Sequence, residues 1–201
     1  MKIGHVVGWG AVVAAAVVGA AVFAGSFNVS ARTPHWVPVA KTLEWLRVRS
    51  IRSHAAGIAV PDDMGAPERL RGGVTHMEAH CRPCHGAPGE GVGELGQGMY
   101  PQPSDLTKAA QRFSPAELFW ILQNGIKMTG MPAWADHGDD ELWSVVALLG
   151  RLPTMSAAEY ATLAQAAAAA EQRTEAPATP TPASPPSHAG HQHHHHHHPA
   201  K

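Results

Sequence analysis

The sequence predicts an all-α fold, and three observations carry that expectation. Apolar residues recur at helical spacing in several segments, each opened by a capping residue or closed by glycine or proline. The two longest connections between them are rich in glycine and proline. No segment makes a convincing strand.

The chain has 201 residues, yet its ends differ too much from its middle to share one core. Residues 1–25 read as an apolar leader, and 26–66 as a linker carrying an amphipathic helix. Residues 67–155 form one small domain, 156–173 an Ala-rich helix, and 174–201 a disordered Pro/Ala and His-rich tail. A domain of that size lies near the limit at which an apolar core holds a fold unaided, so a buried prosthetic group would help to fill it. The formal net charge of −1 offers no nucleic-acid footprint.

Ile3 to Phe23 has no Asp, Glu, Lys or Arg and is long enough to cross a bilayer as a helix. Two readings compete: a retained transmembrane anchor, favoured by the length of the run, and a signal peptide cleaved after Ala24. Lys2 precedes the run while Arg32, Lys41, Arg47, Arg49 and Arg52 follow it, which is contrary to the usual charge bias. Both readings export the rest of the chain.

Pro38 to His54 has Val39, Leu43, Leu46 and Val48 or Ile51 at helical spacing, with basic residues between them. With Trp36 and Trp45 it suits a membrane surface, or equally a spacer packed on the following domain. Glu68 to His80 predicts a helix in which Gly72 and Gly73 each cost about 1 kcal/mol relative to Ala. Gly86 to Pro103 is a long loop of the kind that wraps something. Ser114, Pro115 and Glu117 open the next helix with a capping box, and Gly125 ends it. Asp139, Asp140 and Glu141 open another that runs to Pro153, and Ser156 with Glu159 opens the Ala-rich helix.

The chemistry centres on Cys81-Arg82-Pro83-Cys84-His85. The chain has two cysteines, and a disulfide at this spacing would close a tiny loop and remove little chain entropy. Two thiols and an imidazole within one turn are what covalent attachment of a haem requires: two thioethers and a ligand beneath the iron. A zinc site would need a fourth ligand, and a thioredoxin-like pair would need a βαβ context that is not readable here. His85 leaves the sixth iron position open. Met131 is the choice, since Gly130 permits close approach and Pro132 stiffens the loop; Met128 is the reserve. A methionine also serves as ordinary core filler.

Cys81 to Gly86, Pro101 to Leu106, Asn124-Gly125, Gly130 to Trp134 and Asp140 to Trp143 follow one another in a known order. Over about Pro67 to Pro153 the chain resembles a class I monohaem cytochrome c domain of the membrane-anchored bacterial branch. The resemblance implies the cytochrome c fold around one covalent haem c, with its first and last core helices crossing where Gly72 or Gly73 meets Trp143 or Ala147. It implies Cys81 and Cys84 as thioether sites and His85 and Met131 as axial ligands. A proline carbonyl at Pro101 or Pro103 would orient His85, and Trp134 would approach a haem propionate. Tyr100 and Trp134 serve equally as core aromatics.

His76 and His80 lie one helical turn apart, a spacing that holds a metal or a second axial imidazole; surface or haem-edge histidines are the plainer reading. His188, His191, His193, His194, His195, His196, His197 and His198 read as a native tail binding copper, nickel or zinc weakly, or as a purification tag.

Together these features predict an electron-transfer protein and no enzyme, because an iron closed on both sides has no place for substrate. The expected location is the bacterial inner membrane with the haem domain in the periplasm, or the soluble periplasm after cleavage. The expected partners are a redox donor and acceptor. Two alternatives stand beside it: a subunit of a larger oxidase or dehydrogenase, and a metal-handling protein that uses the tail.

Overall fold

A computed structural model describes residues 2–175 of the chain, and the tail histidines lie outside the described residues. Helix α1 (Lys2–Phe23) is exposed from Gly4 onward and has the length and composition to cross a membrane. Helix α2 (Val37–Ala55) follows. Helix α3 (Pro67–His76) continues through a π-helical turn, Met77–Cys81, into α4 (Arg82–His85). The next connection holds α5 (Glu94–Gln97), a 3-10 turn at Leu106–Lys108 and α6 (Ala109–Arg112). Helices α7 (Pro115–Asn124), α8 (Asp139–Arg151) and α9 (Ala157–Glu175) complete the frame, which has no strand among the described residues.

Helices α3 and α8 cross at the centre. Val74 of α3, Met77 of the π turn that continues it, and Leu142, Val145, Val146 and Leu148 of α8 are almost wholly buried with Leu152. Each such side chain contributes about 1.5–3 kcal/mol on burial. The crossing is as close as the sequence predicts, but its partners differ. A Cβ on Gly73 would lie 2.3 Å from the Ser144 carbonyl oxygen and 2.9 Å from Leu148 Cβ. Ser144 and Leu148 stand one turn apart on the face towards α3, in place of the expected Trp143 or Ala147. Trp143 turns instead to α7, where its ring stacks on Phe119 at 4.2 Å.

The other helices are laid on this pair. The Ser114 hydroxyl accepts from the Glu117 amide at 3.3 Å, and the Glu117 carboxylate accepts from the Ser114 amide at 2.8 Å. Helix α7 therefore begins where its capping residues predict. Helix α9 buries Tyr160, whose hydroxyl donates to Glu78 at 2.7 Å. Helix α2 takes the second of its two predicted placements. Ile51 and Ala55 are buried against the domain, and the His54 ring lies 5.5 Å from that of Trp120. Arg52 pairs with Glu117 at 3.6 Å, and Arg112 reaches back to Glu44. Trp36 and Trp45 stay exposed.

Candidate functional site

The motif cysteines are placed by the π turn. The Arg82 amide donates to the Met77 carbonyl, so the helix widens for one turn directly ahead of the motif. Cys81 is buried, and that burial, with Cys84 beside it, pushes its thiol pKa up to about 12. The unlinked thiol is therefore neutral. Cys84 is half-buried. The following loop folds back over the motif, with the Gly93 amide donating to the Cys84 carbonyl at 3.1 Å. A Cβ on Gly96 would lie 2.1 Å from that same carbonyl oxygen, so the backbone itself forms the wall. Arg82 fastens the wrap by reaching Glu78 and Glu90, each at 2.6 Å.

His85 Nδ1 donates to the Ser104 carbonyl at 2.7 Å. The orienting acceptor is therefore Ser104, not the carbonyl of Pro101 or Pro103. Asp105 accepts from the Thr107 amide and hydroxyl at 3.0 and 2.6 Å, which fixes the chain immediately after Ser104. Pro103 is occupied elsewhere, its ring packed where a side chain on Gly96 would stand. Burial holds the His85 imidazole below its usual pKa, against the Ser104 carbonyl, which raises it. A neutral ring held by Nδ1 presents the Nε2 lone pair, the form that ligates a metal. On this side a cavity of about 410 Å³ is lined by His85, Met77, Val92, Leu106, Leu152 and the glycine-rich loop.

The loop after α7 is pinned at both ends. The Ile126 amide donates to the Met131 carbonyl at 3.1 Å, and the Trp134 amide donates to the Leu122 carbonyl at 2.9 Å. Gly125 has φ +64°, and a Cβ there would strike the Pro132 backbone at 2.6 Å. Met131 packs against the core, whereas Met128, with φ +61°, is 76% exposed. Trp134 is half-buried, and its Nε1 is buried without a partner. Met99, passed over in the sequence, lies where a side chain on Gly130 would stand and backs the loop. A lone methionine ahead of Tyr100-Pro101 gave no signal of that.

A second constellation stands beside the first. His76, His80 and His137 each bring one ring nitrogen within 4.8 Å of the others. The Glu141 Oε1 accepts from Nδ1 of His76 at 2.6 Å and of His137 at 3.2 Å. Partial burial raises the Glu141 pKa, but its bonds to His76 and His137 outweigh that and leave it below the ordinary value. Burial lowers the His80 pKa, helped by His76 and His137. His137 and Glu141 are the members that sequence reasoning missed. Their spacing of four, across the Gly138 that separates the 3-10 turn from α8, was the available signal.

Two thiols on a helical turn, an imidazole fixed through Nδ1 and a cavity beside it in an all-helical frame define a monohaem c-type cytochrome domain. Residues 68–149, less than half of the chain, match the family model described as cytochrome C oxidase, cbb3-type, subunit III. That span reaches from α3 into the last turns of α8 and contains Cys81, Cys84, His85, Ser104, Met131, Trp134 and the three clustered histidines with Glu141. Its cofactor is covalent haem c, and its chemistry is haem-based electron transfer. The side chains fit such a group: the thiols stand together, His85 offers Nε2, and the orphaned Trp134 Nε1 is a donor awaiting an acceptor. No curated protein and no solved structure matches the chain.

Proposed function

We propose that this protein is a single-electron carrier, not a catalyst, tethered by α1 at the periplasmic face of the bacterial inner membrane. In this reading His85 and Met131 are the axial ligands of its haem. When bound, the haem supplies a one-electron couple, and a thioether ligand raises its potential. The protein's own part is to hold His85 neutral through Ser104, to wall the group with the Gly86–Gly96 backbone and to offer the Trp134 indole to a propionate.

The observation that carries the reading is the contrast between the two methionines. Met131 is packed inward on a loop pinned at Ile126 and Trp134, while Met128 points into solvent. Met131→Ala is expected to abolish the far-red absorption band of Met-ligated ferric haem, and Met128→Ala to keep it. Loss of the band in Met128→Ala with retention in Met131→Ala would overturn the assignment.

The description of the matching family favours a second reading, in which the domain is the electron inlet or outlet of a larger oxidase. Purification in mild detergent separates the two. Co-migration of an oxidase in stoichiometric amount supports the subunit, and an isolated haem protein supports the free carrier.

A further inference from the structure

We propose that His76, His80 and His137 form a second metal site, separate from the haem, for a divalent transition-metal ion of the zinc or copper(II) class. Glu141 is its orienting carboxylate. The proposal does not depend on which methionine binds the haem iron.

Four observations converge. First, the ring nitrogens of three residues from three elements, namely α3, the π turn and the 3-10 turn Ala135–His137, lie within 4.8 Å of one another. Around a tetrahedral ion with Zn–N of about 2.0–2.1 Å, such nitrogens stand roughly 3.3 Å apart, so a modest inward shift closes the shell. Secondly, His76 is only 2% exposed, and its Nε2 is buried with no hydrogen-bond partner. A buried imidazole nitrogen without a partner is rare unless something unseen meets it.

Thirdly, Glu141 accepts from the Nδ1 of both His76 and His137. A carboxylate on Nδ1 fixes the tautomer that leaves the Nε2 lone pair free, the usual backing of a metal-bound histidine. Fourthly, His80 is exposed while His76 is buried, so the cluster has a floor and a mouth. The mouth gives an ion its way in and leaves a fourth position for water. Trp134 walls the cluster, with its ring 5.0 Å from His80 and 5.4 Å from His76, but an indole N–H only donates and cannot ligate.

None of the three histidines lines the cavity that holds His85. The cluster also depends on the close crossing of α3 and α8, because Glu141 stands on α8 and reaches His76 on α3 across it.

The test uses the haem-loaded full chain, stripped by chelator and titrated with zinc ion alone against a competing chelator. His188, His191 and His193 to His198 are replaced by serine, so that the tail does not contribute. One tightly held zinc per haem is expected. His137→Ala in that background is expected to lose it, and Glu141→Gln to weaken it by about 10–100-fold. An unchanged haem spectrum and helix content check that both variants fold. X-ray absorption at the zinc edge of the unsubstituted cluster is expected to count three imidazoles. The absence of tight zinc in the tail-substituted protein overturns the proposal. So does an unchanged ratio in His137→Ala, or an absorption spectrum with fewer than three imidazoles.

Discussion

Gly72 and Gly73 are neighbours with opposite tolerance for a side chain. A Cβ on Gly73 would enter the Ser144 backbone, which cannot move aside without separating α3 from α8. A Cβ on Gly72 would meet Ser144 Cβ at 3.4 Å, an ordinary contact. Gly72→Ala therefore keeps the packing and removes the entropic penalty of glycine in a helix, a gain of about 0.5–1 kcal/mol. Gly73→Ala overpacks the crossing and costs about 1–3 kcal/mol. Denaturant unfolding of the haem-loaded variants is expected to move the midpoint up for the first and down for the second. A shift of the same sign in both would mean that the crossing is looser than these distances require. The same distances explain the limit of the sequence reading. A glycine pair announces that something comes close, but which residue comes close depends on helix rotation, which set Ser144 and Leu148 at the contact.

The loop between α4 and α5 is held to the motif by charge. Arg82 on α4 binds Glu78 behind it and Glu90 ahead, and Glu90 also accepts from the Ala87 amide at 3.1 Å. The Arg82 guanidinium, helped by that amide, holds the Glu90 carboxyl below its ordinary value. A carboxyl depressed on folding contributes stability above its unfolded pKa and loses that contribution as pH falls through the folded value. Wild type is therefore expected to melt above Glu90→Gln at neutral pH, with the gap closing in acid. Both groups are solvent-exposed, so the gap is small and shrinks further with salt. A gap that persists unchanged into acid would place the clamp elsewhere. At this scale the helices were legible wherever their signals are local. The capping boxes of α7 and α9 lie within four residues and needed no tertiary knowledge. The docking of α2 was not legible, because its amphipathic pattern fits a membrane surface and a protein surface equally. Only the burial of Ile51 and Ala55 beside α7 separates the two.

Across the whole molecule, the haem site could be read early because its thiols and first imidazole lie within five consecutive residues. The histidine cluster could not, since His137 joins His76 only after α8 folds back across α3. Helix α1 poses the remaining question at this scale. Its side chains are exposed from Gly4 onward, with Trp9 70% and Phe23 96% exposed. The 20 residues Gly4–Phe23 span about 30 Å as a helix, the thickness of a hydrocarbon core. An apolar surface of that extent is stable in lipid and not in water. If it is retained, the haem protein is expected to stay in the membrane pellet through high-salt and alkaline washes and to leave only with detergent. Its intact mass would then include the first 24 residues. A soluble haem protein beginning at Gly25 would show instead that α1 is a cleaved export signal. The distinction bears on electron transfer directly. A tethered domain meets a membrane-bound partner at the high effective concentration that a linker imposes, whereas a free one must reach it by diffusion.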